Sequence, residues 1–380
     1  MNDLPLSQYH PRPALVTRET SVQSPRFPVI EAHSHLAAPY GGGWDERPLS
    51  ELLDVLDSVG VRRFVDLDGG WGEAILQRHL DQYKQAAPER FHVFGGVNWS
   101  QWASHGDRFG EWAAARLREQ KHWGAEGLKI WKPFGLTVRD QHGVLVAIDD
   151  PRLVPLWETA AELHLPVTIH IADPVAFFQP LDSFNERWEE LSAHPEAHFY
   201  GGEFPAFAPL IEAFARLITR HTRTTFIGAH VGCYAENLQW VSVLLDRCPN
   251  FYVDIGARLA ELGRQPYSAR RFFLRYADRI LFGTDYPAAV DIYQLHYRFL
   301  ETDDEDFPYS VDGDSVPPQG RWRIYGLYLP EAVLEKVYWS NAARILLQPP
   351  SVDDTYDAGK PGATGGDNTA VDGDAEGIHK

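Results

Sequence analysis

Cysteine is almost missing. Cys233 and Cys248 are the only two in 380 residues, which makes neither a disulfide framework nor a Cys-X-X-Cys site. Both are expected as reduced thiols near a core. Long apolar runs are missing too, since no window approaches the roughly 18 residues of a membrane span. The first ten residues, Met1-Asn-Asp-Leu-Pro-Leu-Ser-Gln-Tyr-His10, lack the basic start and apolar centre of a secretory signal. A cytoplasmic protein with no membrane partner is expected. Basic charge is scarce as well: 35 Lys and Arg face 53 Asp and Glu, for a net charge of −18, which argues against nucleic acid as a partner. Residues 301–314 carry seven acidic and no basic groups, and 351–380 carry seven against two. The rest of the body is only mildly acidic, so charge bears on solubility more than on substrate.

Aromatic residues are plentiful, with 20 Phe, 16 Tyr and 12 Trp in a chain that is 44% hydrophobic, enough to bury a sizeable core. Apolar runs of strand length alternate with helical periods, the rhythm of repeated βα units. Strands are expected at 28–35, 63–68, 91–99, 127–132, 165–170, 225–230, 251–255 and 279–285, with helices between them; the first helix is expected to be capped by Ser50 and stopped by Gly60. Eight strands close a (β/α)8 TIM barrel. The expected organisation is an arm at 1–27, a barrel at 28–348 with a rim insertion at about 173–207 and an acidic loop at about 301–323, and a disordered tail at 349–380, poor in large apolar groups.

The first strand ends in His33 and His35. On an extended strand, residues two apart point to one side, so both imidazoles reach one point and can together hold a metal. His170, His230 and Asp285 each close another apolar run. Buried strands that end in His or Asp are what a barrel shows at its catalytic, C-terminal rim, and the five residues are therefore expected to form one site. Neutral imidazoles and a carboxylate suit Zn²⁺ first, then Mn²⁺, Fe²⁺ or Co²⁺. The other histidines, such as His79, His92, His164 and His221, are expected on the surface or on helices. Trp71, Trp99, Trp131, Phe177 and Phe178 fall on rim segments and are candidates to line a flat substrate pocket. Arg258, after the seventh strand, is a candidate to bind a substrate carboxylate. The aromatic-rich insertion is expected to act as a lid or pocket wall, and it makes a homodimer a working hypothesis.

With these residues placed, the chain is similar to the amidohydrolase superfamily, and within it to the amidohydrolase-related branch of hydrolases, decarboxylases and hydratases. The resemblance spans roughly 28–347. It rests on Glu31-Ala-His33-Ser-His35, Ile169-His170, Gly228-Ala-His230, Phe282-Gly-Thr-Asp285-Tyr-Pro287 and Ser340-Asn341-Ala-Ala-Arg-Ile-Leu346. It implies that His33, His35, His170 and Asp285 bind one divalent metal, and that His230 either binds a second metal or acts on water and substrate. It also implies a choice at Lys129. In some members a fourth-strand lysine is carbamylated and bridges two metals; the alternatives are an ammonium that binds an anionic substrate group or a simple ion pair. Glu31 stands where many relatives carry Asp. The activity expected first is hydrolysis of a small amide, ester or lactone by metal-activated water, with Asp285 and His230 as catalytic groups. The alternative is non-oxidative decarboxylation, or hydration, of an aromatic or dienoic acid, and a third reading is a non-catalytic metal-binding barrel.

Overall fold

Eight short strands carry the architecture of the computed structural model, which describes residues 3–38, 40–311 and 318–347. The tail expected at 349–380 lies outside the described residues. The strands are β1 (Val29–Ser34), β2 (Val61–Asp66), β3 (Phe91–Gly96), β4 (Gly127–Ile130), β5 (Val167–Ile169), β6 (Phe226–Gly228), β7 (Phe251–Asp254) and β8 (Ile280–Leu281). Each pairs in parallel with the next. The first and last are joined where Ala32 N donates to Phe282 O at 2.9 Å and Asp285 N to His33 O at 2.8 Å. The result is the expected TIM barrel. Parallel strands are covered on both faces, which is why they read as continuous apolar runs rather than alternating ones.

The helices between strands bury one stripe. Helix Phe207–Arg220 turns Phe207, Leu210, Ile211, Phe214, Leu217 and Ile218 inward, the i, i+3, i+4, i+7 spacing of an amphipathic helix. Truncating the fully buried Phe214 to Ala would cost about 3–5 kcal/mol. Helix Leu49–Ser58 corrects one expectation, because Pro48 occupies its N-cap and Ser50 lies inside the first turn. In place of a side-chain cap, the Pro48 carbonyl accepts from Glu51 N at 3.1 Å. Gly60, with φ +76°, does stop that helix as expected. No helix among the described residues is long and apolar enough to cross a membrane.

The acidic stretch and the N-terminal arm explain one another. Asp303 pairs with Arg18 at 2.8 Å, Asp304 accepts from both N and Oγ1 of Thr20 at 2.7 Å, and Glu301 receives Arg26. Glu301 and Asp304 are buried, so part of that negative charge is a fixed latch rather than solvated surface. The insertion is likewise pinned. Its buried Arg187 pairs with Glu261 after β7 and with Glu190, beside the rings of Phe177 and Trp322.

Candidate metal centre

The site stands where β1, β4, β5, β6 and β8 end. His33 and His35 point their Nε2 atoms at one carboxylate oxygen, Asp285 Oδ1, at 3.5 and 3.4 Å. His230 Nε2 reaches Asp285 Oδ2 at 3.7 Å. The opposite nitrogens are tied down: His33 Nδ1 lies 2.8 Å from Asp254 Oδ2, His35 Nδ1 2.7 Å from Asp68 Oδ1, and His230 Nδ1 2.8 Å from the Gly256 carbonyl. Donating N–H outward leaves the Nε2 lone pairs facing inward, the tautomer a metal requires. His170 joins through its ring, 4.3 Å from that of His230. Its Nε2 is buried and meets no hydrogen-bond partner among the described residues, the nearest carboxylate oxygen being Asp173 Oδ1 at 3.5 Å. His33, His35 and Asp285 converge tightly enough for one cation, and so do His33, His230 and Asp254. Inward lone pairs, one orphaned imidazole nitrogen and a shared carboxylate therefore fit a divalent metal.

Three consecutive strands bend backward to build this arrangement. His230, Ala257 and Asp285 have φ of 57°, 50° and 55°, and after His230 the chain stays left-handed through Val231 and Cys233 at 58° and 59°. For residues with a Cβ, that conformation costs about 1–2 kcal/mol each, and such strain persists only where its surroundings enforce it. Asp254 is the main enforcer. Its Oδ1 accepts from His230 N and Gly256 N at 3.0 Å while Oδ2 holds His33. Burial pushes the Asp254 carboxyl up, but His33 and the backbone donors outweigh it and keep it below its ordinary range. Gly283 is also required, since a Cβ there would come within 2.8 Å of His33 Cβ.

Charge is arranged unevenly around the centre. Burial lowers His35, yet Asp285 and Asp68 more than reverse it and lift the imidazole to about 9. Burial dominates at His170, which falls to about 4, and at His230, which falls well below its ordinary value. Lys129, fully inward on β4, places Nζ 3.3 Å from His33 Nε2; burial holds it below the usual lysine range against the pull of Asp285 and Asp254. Glu31 lies behind the site, pushed up to about 8 by burial against the N–H groups of His33 and Thr284. Arg258 is buried after β7 and gives Nη1 to the Ala257 carbonyl at 2.7 Å. No carboxylate of the described residues lies within ion-pair distance of it, although its charge bears on His230, Tyr286 and Glu190.

Trp131 forms a wall, its ring 5.1 Å from that of His35 and 4.0 Å from Trp71, which stacks on Tyr40 at 5.6 Å. Phe177 and Phe178 correct an expectation. They are buried inside the insertion, Phe178 against Phe199 and Phe207, because the insertion needs an apolar core of its own. His92 corrects another, lying almost fully buried on β3, whereas His79 stands on a helix as expected, with its ring fully buried. His79 Nδ1 meets Asp66 at 2.7 Å, and Asp66 Oδ1 accepts from the N–H of Asp68 at 3.1 Å. Sequence reasoning misses Asp68, Asp66, Asp254 and Asp173. Asp254 and Asp66 end apolar runs just as His170 does, so the signal was there.

A parallel eight-stranded barrel whose C-terminal rim gathers imidazoles around a carboxylate defines a class of metal-centred enzyme scaffold. The chain belongs to the amidohydrolase family, whose model, described as "Amidohydrolase", matches residues 30–347. No curated protein matches. Among solved structures the chain is similar to 2,6-dihydroxybenzoate decarboxylase from Rhizobium, with TM-score 0.53 and 17% identity over 84% of this chain and 99% of that one. It is similar also to dihydroxybenzoic acid decarboxylase from Polaromonas, solved with bound manganese and the inhibitor 2-nitroresorcinol, with TM-score 0.53 and 16% identity over 84% and 97%. An uncharacterised TIM-barrel protein from Bordetella bronchiseptica gives TM-score 0.51 and 16% identity over 84% and 99%. These likenesses establish the shared fold.

Proposed function

We propose that this chain is a metal-dependent, non-oxidative decarboxylase of a hydroxylated aromatic acid. The observation that carries the reading is Arg258, a buried guanidinium with no carboxylate in ion-pair distance among the described residues, near enough to His230 to lower its pKa. A buried cation held only by a backbone carbonyl, with no carboxylate among the described residues beside it, is costly, and a substrate carboxylate is the group that would satisfy it, in the two-pronged geometry guanidinium favours. The decarboxylases named above on the same fold support this choice over hydrolysis.

His33, His35, His170 and Asp285 would hold the divalent metal, manganese or zinc. When bound, it supplies a Lewis acid for substrate oxygens. Arg258 anchors and orients the carboxylate, and Trp131 offers the ring a flat wall. Asp285 takes the proton of the phenolic hydroxyl and returns it to the ring carbon as the C–C bond breaks. The balance is aryl carboxylate plus one proton giving arene plus CO₂, with the phenolate regaining its proton from solvent. Neutral His230, whose Nε2 lies 3.7 Å from Asp285 Oδ2, positions the carboxylate that carries this proton. Lys129 remains an uncarbamylated amine beside the centre, free to hydrogen-bond a substrate oxygen once His33 Nε2 is given to the metal; its carbamylation, with a second metal, is the alternative, and two metal equivalents per chain would mark it.

The test is product analysis with 2,6-dihydroxybenzoate and salicylate on the metal-loaded full chain. CO₂ release that Arg258→Ala abolishes supports the reading. Turnover of lactones or amides instead, unchanged in Arg258→Ala, would return the chain to hydrolysis, which the strained, neutral His230 beside Asp285 would serve equally well as a water-orienting group.

A further inference from the structure

Beyond Trp131, on the β2–β4 side, lies a cavity of about 570 Å³, within the roughly 300–1,000 Å³ range of small-molecule sites. We propose that it is a second subsite, which receives an aromatic ring carried by the substrate away from its reacting carboxylate; this rests on the reading of the centre as one for aromatic acids.

Four indoles, Trp71, Trp99, Trp112 and Trp131, line the cavity. Two of them belong to the centre as well, since Trp131 lies against His35 and Trp71 against Trp131. An occupant is therefore one indole away from a candidate metal ligand. Arg258 follows β7 and Trp131 follows β4, so an acid anchored at the first and stacked on the second spans the barrel mouth and presents its far substituents to the cavity.

Charge decides what kind of group enters. Glu73 and Arg116 are the charged residues lining the cavity, and they are already joined by two bonds of 2.8 and 2.6 Å, with Arg116 also paired to Glu119. The guanidinium is neutralised, which disfavours a second anion and leaves π-faces as the main recognition surface. One polar feature is unspent. Trp131 Nε1 is buried and meets no acceptor among the described residues; beside it, Gly70 has no Cβ, which would lie 2.4 Å from that nitrogen. The glycine lets the indole edge pack against the β2–β3 backbone, which fixes the Trp131 ring as the wall between centre and cavity.

The experiment compares salicylate, 3-phenylsalicylate and 4-phenylphenol for binding to the metal-loaded full chain, by calorimetry and tryptophan fluorescence. The added phenyl ring is expected to tighten binding about tenfold in the native protein. Trp112→Ala should remove that tenfold advantage while leaving salicylate unchanged. Gln101→Trp, which fills the cavity from its mouth without deleting core packing, should do the same and guards against a folding defect in the first variant. Equal affinity for the two acids in the native protein overturns the subsite, as does an advantage that survives both variants. The subsite and the proposed reaction fail separately. 4-Phenylphenol lacks the carboxylate, so its binding, lost in Trp112→Ala, upholds the subsite even if no acid is decarboxylated; decarboxylation of salicylate with no benefit from the phenyl group leaves the reaction standing and removes the subsite.

Discussion

On the β1–β2 side of the barrel mouth, His35 and His79 each face a buried carboxylate, Asp68 and Asp66. On the β5–β8 side, His230 faces a backbone carbonyl, His170 has a nitrogen with no hydrogen bond among the described residues, and behind β8 His296 faces the carbonyl of Ile292 in its own helix. The consequence is opposite charge behaviour. Burial works against the charged form on both sides, but the carboxylates outweigh it at His35 and His79, whereas burial prevails at His170, His230 and His296. A divalent cation held between the two sides, as proposed, would meet negative charge already in place behind one and neutral lone pairs on the other. Asp254 joins them, holding His33 with one oxygen and the strained His230 turn with the other.

The comparison breaks most readily at that joint. Asp254→Ala strands the His33 Nδ1–H and the His230 N–H in a buried site, so a stability loss of about 3–5 kcal/mol is expected, with metal affinity down about 100-fold. Urea unfolding and competition with a chelator measure the two; if both are unchanged, Asp254 is no joint. Next comes His296, buried and held neutral at about 4 by burial, with a single bond to the Ile292 carbonyl. Its folded pKa lies below the unfolded value of about 6.5. The unfolded chain therefore takes up the proton first, and this stability is complete above pH 6.5 and lost as pH falls toward 4, about 3 kcal/mol in all. His296→Phe should flatten that part of the acid limb in urea titrations at pH 7 and 4.5; an unaltered slope contradicts the contrast between the sides. Arg258→Ala sharpens the comparison by leaving the metal in place while weakening salicylate by about 2 kcal/mol, the worth of a charged hydrogen-bonding group. Asp68→Asn, which preserves shape and removes one charge, is expected to reduce metal affinity about tenfold; a matching loss from a charge-preserving Asp68→Glu would point to geometry instead.

Much of this was readable in the amino-acid order, for a physical reason. A buried strand that ends in His or Asp has to expose that group at the rim, so His33, His35, His170, His230 and Asp285 could be placed, and eight such strands close a barrel. The supporting carboxylates Asp68 and Asp254 carry the same kind of signal, but what they hold depends on neighbours across the barrel. His79 stands on a helix as expected, but its burial comes from a tertiary pairing with Asp66 that helical spacing does not encode. Phe177 and Phe178 are buried within the insertion, a choice made by Arg187 over the first and by Phe199 and Phe207 against the second. Nothing in Gly-Ala-His-Val-Gly-Cys announces a left-handed turn through Val231, since a β-branched residue resists that conformation and only the surrounding hydrogen bonds impose it.

The most direct test is metal content per chain, measured by mass spectrometry on protein purified without chelator and again after exposure to Mn²⁺ or Zn²⁺, beside Asp285→Ala. One equivalent of divalent metal in the native protein, lost in the variant, is the predicted result. No bound metal in the native protein even after reconstitution would contradict the assignment of this rim as a metal centre.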